Sequence, residues 1–242
     1  MSKDQVVMIT GASKGLGREL AFAFAKKGAK LAICARGEEK LREAQRDLER
    51  TGAEVLAVAA DAANPRDVDR FVSIAERVYG RVDVLINNAS VFGKGPSLLL
   101  DYPNEEFEEV LRVNVMNPLM VTKRVLPGML SRGAGSVINL TSEAGKTGFA
   151  EWGAYGISKF AVEGMTQTWA DELSETGVRM NMVDPGEMDT DMHDTAVPDC
   201  DYELAHPADI VDVFLYLASD ESSQVNGQRF EAQNFNLSEE AV

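Results

Sequence analysis

Short apolar runs alternate with longer amphipathic segments along this chain. The apolar runs have the length of strands, and the segments between them place apolar residues three or four positions apart, as helices do. Strands are predicted over Val6–Thr10, Leu31–Cys34, Glu54–Ala60, Val82–Asn87, Ser136–Thr141, Val178–Val183 and Gln228–Ala232. Helices are predicted over Leu16–Lys27, Glu38–Arg50, Asp67–Tyr79, Asn104–Arg132, Trp152–Glu175 and Ile210–Ala218.

Strands that are apolar throughout and separated by helices indicate a parallel sheet covered on both faces. Right-handed crossovers then give an α/β fold, a doubly wound parallel sheet of the Rossmann type with about seven strands. No linker, repeat or low-complexity tract interrupts the pattern, so residues 1–242 are predicted to form a single domain. In such sheets ligands bind at the carboxyl ends of the strands, and functional residues are expected just after each strand.

The charge of the chain limits its partners. Lys and Arg number 24 and Asp and Glu 39, a formal net charge of −15 that argues against nucleic acid binding. Residues 187–242 contain fourteen acidic residues and one basic residue, Arg229. This acidic segment is either a solvated surface or a face that repels anions. No run of about 18 uncharged apolar residues is present, so no membrane span is expected.

Cysteine usage favours a reducing compartment. Cys34 and Cys200 cannot form a disulfide framework, and the chain enters its first strand without a signal-like apolar segment. A cytoplasmic location is therefore expected. No Cys and His cluster has the spacing of a zinc site, so no metal is expected.

A glycine-rich turn follows the first strand. Residues 10–17 read TGASKGLG, with Gly11, Gly15 and Gly17 between a strand and a helix. Glycines allow a tight turn and a close approach of the backbone to a phosphate at the helix N-terminus. Glycine-rich turns also occur without a ligand, but this position favours a nucleotide site.

Further motifs follow in a fixed order, and together they resemble a known family. They are Asp61 at the end of the third strand, NNAS over Asn87–Ser90, Asn114 in RVNVMNP, Ser142 in INLTSEAG, YGISK with Tyr155 and Lys159, and DPG over Asp184–Gly186 followed by Thr190. The ordered set, which covers nearly the whole chain, resembles the short-chain dehydrogenases/reductases, in particular carbonyl reductases similar to the 3-oxoacyl-carrier-protein reductases.

The resemblance implies that Asn114, Ser142, Tyr155 and Lys159 are the catalytic residues. Tyr155 and Lys159 stand four positions apart on a predicted helix and therefore share one face. A nearby lysine cation is expected to lower the pKa of the tyrosine from its usual value near 10 toward the working pH. Ser142 would donate a hydrogen bond to the substrate oxygen. Asn114 either holds a water near Lys159 or is a buried polar group that bonds the backbone.

The resemblance also implies a nicotinamide cofactor. Its predicted contacts are Gly11, Ser13, Lys14, Gly15, Leu16, Gly17, Arg36, Asp61, Ala62, Asn88, Ala89, Tyr155, Lys159, Pro185, Gly186, Met188 and Thr190. NAD enzymes commonly carry an acidic residue after the second strand, where this chain has Ala35 followed by Arg36. Lys14 and Arg36 suit the 2′-phosphate of NADP(H), which is predicted over NAD. The alternative is that both cations are solvated surface charges.

The substrate pocket is expected at two segments. Glu143, Phe149 and Trp152 lie between the serine and the tyrosine, and Met192 and His193 lie in a loop over about 186–207. Their aromatic and methionine side chains favour an apolar substrate, although packing against the protein's own loop explains them equally well. Ser90 replaces a glycine usual in the family and adds a side chain near the cofactor.

The predicted function is an NADP(H)-dependent oxidoreductase that acts on a small-molecule carbonyl or alcohol. The alternatives are a 3-oxoacyl-carrier-protein reductase and a non-catalytic NADP-binding regulatory protein. The family usually forms homodimers or homotetramers through its two long helices. Val110, Val121 and Val125 would serve that contact or the core. The family's C-terminal strand closes in aspartate and two glycines, and this chain ends RFEAQNFNLSEEAV instead.

Overall fold

The computed structural model describes residues 4–237 and contains a seven-stranded sheet in the order β3-β2-β1-β4-β5-β6-β7. All six pairings are parallel. The strands are β1 (Val6–Thr10), β2 (Lys30–Ala35), β3 (Val55–Ala59), β4 (Val84–Asn87), β5 (Gly135–Leu140), β6 (Val178–Asp184) and β7 (Arg229–Glu231). The strand order reverses between β1 and β4, which places a ligand crevice at the carboxyl ends of these strands.

Helices cover both faces of the sheet. They are α1 (Gly15–Lys26), α2 (Glu38–Glu49), α3 (Pro65–Tyr79), α4 (Asn104–Leu111), α5 (Asn117–Arg132), α6 (Gly153–Glu172), α7 (Asp191–Ala196) and α8 (Asp212–Leu217). Successive strand residues point to opposite faces, so in β1 Ile9 packs with Phe24 of α1, whereas Met8 packs with Phe71 of α3. The prediction of a doubly wound α/β sheet is confirmed.

The long helix predicted over Asn104–Arg132 is not uniform. Residues Arg112–Met116 form a π-helical turn that joins α4 to α5. Local sequence periodicity does not reveal one extra residue per turn, and such turns occur frequently at functional sites. The sequence also failed to predict α7, whose six residues are too few for a periodic signal.

Burial decides a question that the sequence left open. Val110, Val121 and Val125 are at most 2% exposed, so they belong to the core and are not available for a subunit contact. Cys34 is buried at the end of β2, and neither it nor Cys200 forms a disulfide. Within residues 4–237, no helix has the length and apolar character needed to cross a bilayer.

Candidate active site

One large cleft lies at the carboxyl ends of the strands. Its volume is about 1490 Å³, and the segments after β1 to β6 line it. All of the predicted site residues except Asn114 lie along its walls. The topology therefore gathers residues from Gly11 to Ala196 into a single site.

The glycine-rich turn after β1 forms the floor of this cleft. Gly11 has a φ of +69°, and a Cβ on it would lie 2.8 Å from the Cα of Ala89. A Cβ on Gly17 would collide with the Asn88 amide and the Gly11 carbonyl. Asn88 donates from Nδ2 to the carbonyls of Thr10 and Gly11, at 2.9 and 3.1 Å. The side chain of Asn88 therefore holds the turn closed against α1.

The N-terminus of α1 is prepared for an anion. No side chain caps its first amides, and its first turn contains no acidic residue. In contrast, Asn64 caps α3 and accepts from two backbone amides. Because the first N–H groups of a helix attract negative charge, the turn over residues 10–17 fits a dinucleotide phosphate. This chain's residues therefore fit the nicotinamide cofactor that the resemblance implies.

Two cations flank the turn, and each faces a carboxylate. Lys14 pairs with Asp191 at the start of α7, and the guanidinium of Arg36 lies 4.0 Å from Glu109 of α4. All four side chains are at least 40% exposed. A phosphate that binds Lys14 or Arg36 would break these ion pairs at little cost, because exposed ion pairs contribute little to stability in water.

Asp61 lies in the cleft after β3, where its carboxylate is already engaged. Its Oδ1 accepts from the amide of Ala63, and its Oδ2 lies 3.3 Å from Nη1 of Arg112 in the π-helical turn. Arg112 also pairs with Glu109. The Asp61 carboxylate is therefore part of a charged network with Arg112 and Glu109, a feature that the sequence did not predict.

Tyr155, Lys159 and Ser142 meet at the inner end of the cleft. Tyr155 and Lys159 lie one turn apart on α6 and are 9% and 3% exposed. The ammonium of Lys159 donates to the carbonyl of Leu140 at 3.0 Å, and it lies 5.3 Å from the centre of the Tyr155 ring. The hydroxyl of Ser142 bonds Tyr155 and accepts from the amide of Ala144.

The pKa of Tyr155 is raised, contrary to the expectation from the sequence. Burial raises it to about 12, while the hydrogen bond from Ser142 lowers it and the Asp184 charge raises it further. The lysine cation does not dominate, because it lies over the ring and burial disfavours a phenolate. Burial also lowers the pKa of Lys159 to about 8, against the opposing effect of Asp184.

Asn114 lies in the π-helical turn and is 2% exposed. Its Oδ1 accepts from the amide of Val91 at 2.8 Å, and its Nδ2 donates to the Val91 carbonyl and to Ser158 Oγ at 2.8 and 2.9 Å. Every bonding direction of its NH₂ group is used. The Asn114 side chain therefore fits the second of the two alternatives from the sequence, a buried polar group that bonds the backbone. Its bonds join the segment after β4, which contains Val91, to α6.

Aromatic rings line the cleft around Tyr155. The ring of Phe92 lies 5.2 Å from both Trp152 and Tyr155, and Phe149 lies 5.7 Å from Trp152. The sequence did not single out Phe92, although its place five residues after β4 was a usable signal. These rings give the cleft an apolar wall beside Tyr155.

His193 of α7 lines the same cleft. It is 7% exposed, and neither ring nitrogen has a hydrogen-bond partner among the described residues. Its Nε2 lies 3.4 Å from Glu187, which accepts a bond from Tyr202. Ser90 Oγ is also buried without a partner in the described part of the chain.

Comparisons with known proteins agree with this geometry. The model of the short chain dehydrogenase family matches residues 5–201. The chain is 36% identical to the oxidoreductase YciK of Escherichia coli K12 over 95% of this chain and 92% of that protein. It is 34% identical to the 3-oxoacyl-acyl-carrier-protein reductase FabG of Thermotoga maritima, over 93% and 94% of the two chains.

A solved structure extends the likeness. It is a short chain dehydrogenase from Escherichia coli CFT073 in complex with NADPH, with a TM-score of 0.88 and 35% identity. The alignment covers 96% of this chain and 97% of that one.

Proposed function

Because this chain belongs to the short chain dehydrogenase family and is an oxidoreductase of that family, we propose that it reduces a small carbonyl compound with NADPH, or oxidises the corresponding alcohol. One observation carries this proposal: Ser142, Tyr155 and Lys159 lie close together in the cleft. An apolar wall lies beside them, and the rest of the cleft fits a dinucleotide. A protein that only binds the cofactor would not need this set.

The mechanism follows from the positions of the protein groups. When bound, the nicotinamide supplies the hydride for reduction or accepts it in oxidation. Ser142 donates a hydrogen bond to the carbonyl oxygen, and the Tyr155 hydroxyl donates its proton to the same oxygen. A pKa of about 12 keeps that hydroxyl protonated at neutral pH, as a proton donor requires. Lys159 holds the backbone of Leu140, the last residue of β5, two positions before Ser142. Its cation stabilises the phenolate that forms.

NADP(H) is proposed over NAD on the residues beside the turn. Ala35 ends β2 where an acidic residue would hold the ribose of NAD, and Arg36 and Lys14 line the cleft on either side of this point. The NADPH complex of the E. coli relative supports the same choice. NAD remains the alternative that the cofactor measurement in the Discussion tests.

For the substrate we propose a neutral compound with an apolar body. Phe92, Phe149, Trp152 and Met192 wall the reacting end, whereas Glu187 and Asp189 stand at the mouth. The similarity to FabG favours a second candidate, a 3-oxoacyl group on a carrier protein. Carrier proteins are acidic, so the acidic mouth opposes that candidate.

The experiment that tests the proposed function is a turnover screen. Purified protein is assayed with NADPH against neutral ketones, aldehydes and 3-oxoacyl thioesters, and with NADP⁺ against alcohols. Oxidation of NADPH that depends on a carbonyl compound is the expected result. NADPH binding without turnover of any carbonyl or alcohol would favour the regulatory protein instead.

A charge preference is expected at the mouth of the cleft. Of the seven acidic residues between 187 and 203, Glu187, Asp189 and Asp191 line the cleft, and Asp191 is paired with Lys14. The repulsion therefore rests mainly on two carboxylates and is screened over about 8–10 Å by salt. A neutral ester of a keto acid should show a kcat/KM about threefold to tenfold above the free acid at low salt.

Two pairs of substitutions distinguish the acidic residues that line the cleft from acidic residues elsewhere on the surface. Glu187→Gln with Asp189→Asn should reduce the preference for the ester, and Asp201→Asn with Glu203→Gln should leave it unchanged, because neither of these residues lines the cleft. A preference for the free acid at low salt would contradict the charge argument and support the carrier-protein substrate.

We further propose a homodimer or homotetramer, as the family usually forms. The core valines are excluded from the contact, but Ile157 and Phe160 of α6 are 42% and 47% exposed. Ile157→Glu with Phe160→Glu should reduce the sedimentation mass toward the 26.3 kDa of one chain. Val78→Glu, at a 54% exposed position on α3, is the control. A wild-type mass of one chain at micromolar concentration would contradict the proposal.

A further inference from the structure

The C-terminal strand carries one arginine into the catalytic region. Arg229, the first residue of β7, has a side chain that is 17% exposed. Its Nε donates to Glu163 at 3.0 Å, and its Nη2 donates to Asp184 at 2.7 Å and to the backbone carbonyl of Ser142 at 3.2 Å. Its Nη1 donates to Glu231 at 3.1 Å. One guanidinium thus bonds four acceptors.

Three of these acceptors belong to the elements that carry the proposed site. Ser142 is itself one of the proposed catalytic residues. Glu163 stands one turn beyond Lys159 and two turns beyond Tyr155 on α6, so the three share a face of that helix. Glu163 is 8% exposed and also accepts from Thr141 at 2.8 Å. Arg229 therefore joins the segment after β5, which contains Ser142, to α6.

The third acceptor is Asp184, which holds the turn over Asp184–Gly186. Asp184 ends β6 and is 5% exposed. Its Oδ1 accepts from the amide of Gly186 at 2.9 Å, while its Oδ2 accepts from Arg229. Among residues 4–237, Arg229 is the ion-pair partner of Asp184. The guanidinium therefore both holds this turn and offsets a buried negative charge.

That buried charge acts on the proposed catalytic pair. Asp184 raises the pKa of Tyr155 and opposes the burial that lowers the pKa of Lys159. A cation bonded to Asp184 weakens both effects, because the two opposite charges largely cancel at the distance of the neighbouring groups. Arg229 is thus placed to adjust the charge around both groups without touching them.

We propose that Arg229 is a positioning residue of this active site, which holds Ser142, α6 and the Asp184–Gly186 turn in one arrangement and neutralises the Asp184 carboxylate. The inference rests on the proposed function for the identity of the catalytic pair. It deepens that function by assigning a role to the strand at which this chain departs from its family.

The groups that face the guanidinium come from every element packed against it. They are Glu163 of α6, Asp184 of β6, Glu231 of β7, and Glu143 and Lys146 in the turn after β5. Lys146 pairs with both Glu143 and Glu231, so those two carboxylates have another cation. Of the two buried carboxylates, Asp184 is the one whose charge bears on Tyr155 and Lys159.

The test uses four variants of the full chain. Arg229→Met removes the charge and the bonds, and Arg229→Lys keeps the charge but loses the planar fork that reaches several acceptors at once. Asp184→Asn with Arg229→Met removes both members of the buried pair. Arg124→Met is the matched control, since Arg124 pairs with two carboxylates, Asp69 and Glu76, and none of these three residues lines the cleft.

Two readouts are measured on each variant. The first is the pH dependence of kcat and kcat/KM. The second is independent of turnover: the ¹³Cε signal of Lys159 is followed as a function of pH in lysine-labelled protein and assigned with Lys159→Arg. In the wild type this signal is expected to titrate near a pKa of about 8.

We expect Arg229→Met to raise the midpoint of the Lys159 titration by about one pH unit and to lower kcat about tenfold or more, because small displacements of catalytic groups are costly. Asp184→Asn with Arg229→Met should return the midpoint to the wild-type value while kcat stays low. Arg229→Lys should restore the midpoint but not the full kcat. Arg124→Met should change neither.

An unchanged midpoint and kcat in Arg229→Met would overturn the inference. If Arg229→Met does not fold, a fifth variant, Asp184→Asn alone, decides the question. It should lower the Lys159 midpoint below the wild-type value, and an unchanged midpoint there also overturns the inference. A shifted Lys159 titration in a protein that turns over no carbonyl would uphold the electrostatic role of Arg229 while refuting the proposed function.

Discussion

Tyr155→Phe is expected to lower kcat by about two to four orders of magnitude, the usual contribution of a positioned acid or base. The variant loses the proton donor and the hydrogen bond from Ser142. It keeps the ring that packs 5.2 Å from Phe92 and 5.9 Å from Trp152, so the cleft should retain its shape. Binding of NADPH, measured by the change in its fluorescence, should therefore remain close to that of the wild type.

Tyr216→Phe is the control for this loss. Tyr216 is 7% exposed and packs against Phe230 and Phe235, away from the cleft. Removing its hydroxyl should leave kcat unchanged. A near-normal kcat in Tyr155→Phe would refute the assignment of the proton donor.

Arg36→Ala is expected to raise KM for NADPH about tenfold to a hundredfold and to leave KM for NADH nearly unchanged. A hydrogen bond to a charged group contributes about 1.5–3 kcal/mol, which corresponds to that range. A rise in KM near tenfold is favoured, because the Arg36 side chain is 59% exposed and already faces Glu109. Initial rates with both cofactors over a range of concentrations measure the effect.

Two further variants sharpen the cofactor prediction. Ala35→Asp introduces the carboxylate that would bond the ribose of NAD and repel a 2′-phosphate, so it should shift the preference toward NADH. Arg42→Ala is the control, since Arg42 pairs with Glu38 and does not line the cleft. A wild-type enzyme that prefers NADH would refute the reading of Lys14 and Arg36.

The boundaries of the strands show what local patterns can predict. The prediction over Val6–Thr10 matches β1 at both ends, and the other six strands were found within two residues at each end. Strands buried on both faces leave an unmistakable apolar run. The contact between Glu163 and Arg229 left no local pattern in the sequence, because the two residues are 66 positions apart in the chain.

Asn114 and Arg229 show the same difference between what the sequence predicts and what the fold decides. Asn114 was selected by its motif, but its contacts depend on a π-helical turn that turns its amide toward Val91 and Ser158. Arg229 was visible only as the single basic residue of an acidic segment. That isolated charge was a usable signal, since a lone cation among carboxylates is expected to be paired.

The sequence by itself determined the alternation of strands and helices, the glycine turn and the order of the site motifs, because each of these is read from residues close together in the chain. Only the tertiary structure decided how charge is distributed in the cleft. Strand order brings Asp191 to Lys14, Glu109 to Arg36 and Asp184 to Arg229. Burial sets the direction of the Tyr155 pKa shift, and burial is a property of the packed molecule.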